Sequence, residues 1–158
     1  MTVKEIGGVL KADGLKACLV VSRFNDFLTQ QLLRGAVDGF VRHGGKEANL
    51  TILWVPGSNE IPMAVKAALK SERYDAVVAL GVVIEGATNH ADLINGQVSR
   101  SLGALALEGA APVINGVVTA DNLEQAIERC GTKAGNKGWV AMQAAIEMAD
   151  LFRQIKVS

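Results

Sequence analysis

The sequence predicts an α/β protein: a three-layer α/β/α sandwich, flavodoxin-like, on a four-stranded parallel sheet. Two observations carry this expectation. Short apolar runs that do not alternate with polar residues, Leu15–Ser22 and Ala76–Ile84 among them, suit strands covered on both faces. Stretches with apolar residues at helical spacing separate these runs, and a strand–helix alternation implies right-handed crossovers within a parallel sheet. A length of 158 residues fits one domain, 1–158, without a linker.

Leu15 to Ser22 reads as the first strand. From Asp26 to His43, Leu28, Leu32, Leu33, Ala36, Val37, Phe40 and Val41 recur at helical spacing, and Gly44-Gly45 supply a left-handed stop. Thr51–Val55 is a second strand, Pro56-Gly57-Ser58 a turn, and Ile61–Leu69 an Ala-rich helix with Pro62 in its first turn. Ala76–Ile84 is the third strand. Gly86-Ala87-Thr88 ends it, and Leu93, Ile94, Val98, Leu102 and Leu105 mark the stripe of a helix reaching about Glu108. Val113–Val118 is the fourth strand, followed by a short helix to Cys130 with Asp121 as N-cap and Glu124 completing a capping box. Three glycines in Gly131–Gly138 break the path before Trp139–Phe152 resumes helical periodicity.

Composition narrows the function. Sixteen basic and sixteen acidic residues cancel, so no basic excess favours nucleic acid or an anionic membrane surface as a partner. The longest apolar stretch is under half of the roughly 20 residues that span a bilayer, and the N-terminus carries no signal-peptide core, so a cytoplasmic location is expected. Cys18 and Cys130 follow no redox or zinc spacing and read as free buried thiols, and no metal site is expected. With aromatics at only 4%, the core must come from Val, Leu, Ile and Ala.

In an open parallel sheet, ligands bind outside the carboxyl ends of the strands. That rule selects Ser22–Asp26, Pro56–Glu60, Glu85–His90 and Thr119–Asp121, where most of the unusual polar residues lie. Gly86-Ala87-Thr88 precedes a helix, so it reads as an anion site or as a plain N-cap. His90 beside it reads as a proton-transfer group at neutral pH or as a solvated first-turn residue. Glu60 suits either a ligand or the dipole of the helix that follows, and Arg129 either a bidentate phosphate contact or a solvated face. Phe24, an aromatic in a polar loop, plugs the sheet end or offers a flat surface to a ring. No G-x-G-x-x-G is present, and GTKAGNKG fails the spacing of a nucleotide phosphate loop and follows a helix, so neither dinucleotide binding nor nucleotide hydrolysis has support.

Taken in order, five stretches resemble the lumazine synthase family over almost the whole chain. They are SRFND (22–26), WVPGSNEIP (54–62), GVVIEGATNH (81–90), GVVTADNLEQAIERCGTKAGNKG (116–138) and AIEMADLF (145–152). The resemblance implies a transferase of riboflavin biosynthesis. It would condense 5-amino-6-(D-ribitylamino)uracil with 3,4-dihydroxy-2-butanone 4-phosphate through an imine, loss of inorganic phosphate and ring closure, without cofactor or metal. It assigns His90 to proton transfer, Ala87, Thr88, Arg129 and Lys137 to the phosphate, and Phe24, Ser58, Asn59, Glu60, Val82, Val83, Ile84 and Asn115 to the ribityl-pyrimidine. It further implies a site shared between neighbouring subunits of a homopentamer, an edge strand lent to a neighbour by Ile6–Leu10, and icosahedral shells of pentamers.

Several positions depart from the family pattern. Asn59 and Ala91 stand where aromatics are usual, Asn115 where Phe is usual, Glu85 replaces a common Arg, Gly96-Gln97 replace a polar-acidic pair, and Val140 takes a place often acidic. Each lost aromatic removes about 0.5 to 1.5 kcal/mol of ring packing. Two readings stay open at this point: a working synthase with a more polar pocket, or a catalytically impaired, self-assembling pentamer or cage scaffold of the same fold, redesigned in its pocket or its assembly. A flavin carrier gains nothing from the fold alone.

Overall fold

The computed structural model describes residues 2–86, 90–131 and 135–157. Its elements run β1 (Ala17–Ser22), α1 (Asp26–Arg42), β2 (Leu50–Val55), α2 (Ile61–Lys70), β3 (Ala76–Ile84), α3 (His90–Leu107), β4 (Val113–Ala120), α4 (Leu123–Arg129) and α5 (Lys137–Val157). The strands form a four-stranded parallel sheet in the order β2-β1-β3-β4. This is the flavodoxin-like arrangement, in which the chain winds first to one side of the starting strand and then to the other.

β1 and β3 are central and buried on both faces, as their unbroken apolar runs require. Leu19, Val21, Val78, Leu80 and Val118 pack against α1, α4 and α5, with Phe40, Leu32, Met142 and Ile146 completing that layer. Cys18, Val20, Val77, Ala79 and Val117 face α2 and α3, where Ile61, Val65, Val98 and Leu102 meet them. Among the described residues no buried side-chain nitrogen or oxygen lacks a hydrogen-bond partner.

The elements differ from the expected ones chiefly at their ends. β1 starts two residues later than expected, because the Lys16 amide is taken by the Asp75 carboxylate at 2.8 Å. β4 runs two residues further, as Thr119 and Ala120 stay paired with Val83 and Ile84. The N-cap of α4 is Asn122 and not Asp121: the Asn122 side chain accepts from the Gln125 amide, while the Gln125 side chain accepts from the Asp121 amide, both at 2.9 Å. The reciprocal cap exists, shifted by one residue, with Gln125 in the part expected of Glu124. α5 begins at Lys137, so Gly138 lies inside its first turn instead of ending the break. A Cβ there would sit 2.0 Å from the Leu32 carbonyl oxygen of α1, and glycine is what lets the two helices meet.

Candidate active site

At the carboxyl ends of β1, β2 and β3 the three following loops enclose a cleft of about 410 Å³. That volume falls within the roughly 300–1,000 Å³ usual for small-molecule sites. Phe24, Asn25, Ser58, Asn59, Glu60, Val82, Val83, Ile84, Gly86, His90, Ala91 and Ile94 are among the residues that line it.

The first two loops are fastened together by backbone bonds: the Arg23 amide donates to the Val55 carbonyl at 2.8 Å and the Phe24 amide to the Pro56 carbonyl at 3.1 Å. Ser22 is buried and its hydroxyl accepts from the Phe24 amide. These bonds hold the Phe24 ring out at the cleft rim, 68% exposed, with its face free for another ring. Ser58 is buried in the cleft wall and Asn59 projects outward. Val82, Val83 and Ile84 supply the end of β3 as the wall, and His90, exposed, stands at the start of α3.

Glu85, just beyond β3, has its carboxyl group raised above the usual range, first by the charge of Asp92 on α3, then by desolvation and by Asp121 after β4. A concentration of negative charge therefore lies next to the cleft, on the side of β4. Among the described residues no group of three or more His, Cys, Asp and Glu is arranged to hold a metal ion.

Eight of the residues expected at the site, Phe24, Ser58, Asn59, Glu60, Val82, Val83, Ile84 and His90, come together in this cleft. Ala87 and Thr88 lie outside the described residues. Asn115, Arg129 and Lys137 do not line the cleft. They gather along the open edge of β4: the Asn115 side chain accepts from the Val117 amide at 3.0 Å, the Lys137 ammonium donates to the Val117 carbonyl at 2.8 Å, and the Arg129 guanidinium donates to the Thr119 carbonyl. Backbone groups that an edge strand leaves open are thus closed by side chains. Desolvation, and then the neighbouring Arg129, lower the Lys137 ammonium from its usual value.

Sequence reasoning missed Asn25 and Ile94, and marked Ala91 only as a departure from the family pattern. Ile94 was indistinguishable from the core stripe of α3. Asn25 left a better trace: an Asn directly before a helix is a residue that tolerates a left-handed backbone, and here its φ is 61°.

Residues 14–153 match the family model for 6,7-dimethyl-8-ribityllumazine synthase. A 6,7-dimethyl-8-ribityllumazine synthase of Chlorobaculum tepidum is 52% identical over 155 residues, covering 98% of this chain and all of that protein. Synthases of the same name from Chlorobium phaeobacteroides and Chlorobium chlorochromatii are 52% and 51% identical with the same coverage. With the fold, the cleft and these relatives in agreement, the chain belongs to the 6,7-dimethyl-8-ribityllumazine synthase family.

Proposed function

We propose that this chain, acting as one domain over residues 1–158, condenses 5-amino-6-(D-ribitylamino)uracil with 3,4-dihydroxy-2-butanone 4-phosphate to 6,7-dimethyl-8-ribityllumazine. The observation that carries the reading is the cleft, which collects an aromatic face, a carboxylate, a hydroxyl and an imidazole at the carboxyl ends of three strands. Phe24 takes the pyrimidine ring, Ser58, Asn59 and Glu60 the ribityl chain and ring edge, and the Val82–Ile84 wall excludes water from them. His90 moves the proton as the imine forms and phosphate leaves.

The phosphate needs cations, and Arg129 and Lys137, on the open edge of β4, lie outside this chain's own cleft. In this reading the β4 edge of one subunit, with Asn115, Arg129 and Lys137, completes the cleft of the next, whose own Gly86 lines that cleft and whose Ala87 and Thr88 are assigned to the same anion. Large apolar side chains around the opening support such contacts: Phe27 is 71%, Met63 68% and Leu93 69% exposed. A homopentamer, its assembly into an icosahedral capsid and a cytoplasmic location belong to the same proposal. No helix among the described residues is long and apolar enough to cross a membrane.

Mixing both substrates with the protein and following lumazine absorbance tests the activity. Product formation is expected. Its absence at millimolar substrate would overturn the enzymatic reading and leave a cage scaffold. Sedimentation velocity tests the assembly: pentamers or larger shells are expected, and a monomer alone overturns the shared site.

A further inference from the structure

We infer that Asn136 is a positioning residue that sets the spacing and direction of the Arg129–Lys137 cation pair. The inference rests on the reading of those cations as the phosphate-binding end of a shared site.

Arg129 is the last residue of α4 and Lys137 the first of α5. The chain between them is pinched at its base, where Cys130, directly after the arginine, and Asn136, directly before the lysine, form an antiparallel bridge. One side chain then ties three elements. The Asn136 amide nitrogen donates to the Cys130 carbonyl at 3.2 Å and to the Gln31 carbonyl of α1 at 2.8 Å. Its amide oxygen accepts from the Gly138 amide at 2.8 Å and the Trp139 amide at 3.2 Å, capping α5. The end of α4, the start of α5 and the body of α1 are thereby referred to a single planar group. Space has been left for that group: a Cβ on Gly35 of α1 would lie 2.3 Å from the Asn136 amide oxygen.

The two cations reach outward from this clamp to carbonyls two residues apart on β4, Thr119 for Arg129 and Val117 for Lys137. Neither contact fixes the helix ends from which the long side chains start. Asn136 does, without touching substrate. A phosphate gripped by two flexible cations is sensitive to where their stems begin, and a displacement of about 1 Å is enough to cost up to 10²-fold in a positioned reaction.

A plain helix cap would explain only the acceptor half of this arrangement. Asn136→Ser separates the two roles, because serine is a comparable N-cap while its short hydroxyl cannot reach the Gln31 and Cys130 carbonyls. Gly35→Ala gives a second route, since its methyl group on α1 would displace the same side chain at its amide oxygen. The experiment is steady-state kinetics on the assembled protein, varying each substrate in turn, with inorganic phosphate as a competing inhibitor. Both variants should raise KM for the phosphate-bearing substrate and Ki for inorganic phosphate by about tenfold, and leave KM for the pyrimidine within about twofold. An equal rise for both substrates, or a lowered melting temperature with unchanged constants, overturns the inference. Arg129→Ala in the same series separates the failures: if it raises the phosphate constants and Asn136→Ser does not, only the role of Asn136 falls. If Arg129→Ala also leaves them unchanged, the phosphate assignment of the cations falls with it.

Discussion

The Asn25 side-chain amide donates to the carbonyl of Val82 at 2.9 Å, joining the loop after β1 to the end of β3 across the floor of the cleft. Because Asn25 sits at φ 61°, two properties are needed at once: tolerance of the left-handed region and a donor of this reach. Asn25→Gly keeps the first and Asn25→Ala keeps neither. We expect Asn25→Gly to destabilise by about 1 kcal/mol from the lost hydrogen bond, and Asn25→Ala by about 1–2 kcal/mol more from backbone strain. Urea denaturation of the two variants beside the parent checks the order, and equal losses would remove strain from the account.

Glu85 gives a pH dependence of opposite sign to that of most carboxylates. Its group is raised above the ordinary 4.5 by Asp92 first, then by desolvation and Asp121, so losing the proton is harder in the folded chain than in the unfolded one. The native state therefore binds more protons just above 4.5, and stability from this group falls as pH rises through that interval. Glu85→Gln should raise the melting temperature at neutral pH, with the gain disappearing below the ordinary carboxylate value. A gain that persists unchanged in acid would assign the effect to packing instead of charge.

Much of this was legible in the amino-acid sequence, for physical reasons that also mark where legibility ends. β3 was readable to the residue, since only a strand covered on both faces needs nine apolar positions in a row. The cleft was readable because Phe24, Asn59 and His90 break apolar patterns at strand ends, where an open parallel sheet puts its ligands. Gly138 misled because its reason lies in α1: the sequence neighbours say nothing of the Leu32 carbonyl that forbids a side chain there. The shift of the α4 cap from Asp121 to Asn122 is likewise a choice between adjacent equivalent cappers that local pattern cannot make.

The segment preceding β1 is held to α5 by Asp150, whose carboxylate accepts from the Val9 amide at 2.9 Å and from the Gln154 side chain at 2.7 Å; that side chain donates in turn to the Gly7 carbonyl at 2.8 Å. The Val9 amide, above all, depresses this carboxyl group below its usual 3.8. The stabilisation is present above the ordinary value and is lost as pH falls through the depressed one. Hydrogen exchange should show the Val9 amide protected at neutral pH and released on acidification or in Asp150→Ala, which removes the acceptor. Protection unchanged by that substitution would place the tether elsewhere.

Burial raises the thiol of Cys18 to about 12 and that of Cys130 to about 11. Both are free and enclosed, so almost no thiolate exists near neutral pH and no reagent reaches the sulfur. Reaction with a thiol-specific disulfide reagent at mildly alkaline pH should proceed at the rate of unfolding, two thiols per chain appearing together in denaturant. Rapid labelling of one thiol in the native protein would contradict the packing around it.

A site shared between subunits would make a quantitative demand on mixed assemblies. His90 lines the cleft of its own chain, whereas Arg129 rests on the open β4 edge outside that cleft. If each working cleft joins the imidazole of one subunit to the guanidinium of the next, His90→Ala and Arg129→Ala assemblies are each impaired at every site. In a mixture of equal parts, an intact site requires an Arg129→Ala chain giving His90 beside a His90→Ala chain giving Arg129. With random placement in a heterologous ring this occurs at about one quarter of the interfaces. Separately purified variants, dissociated and reassembled together, should therefore recover about one quarter of the parent activity, with recovery following the product of the two fractions as the ratio is varied. Were both groups to act within a single chain, every subunit in the mixture would lack one of them and no ratio would restore turnover.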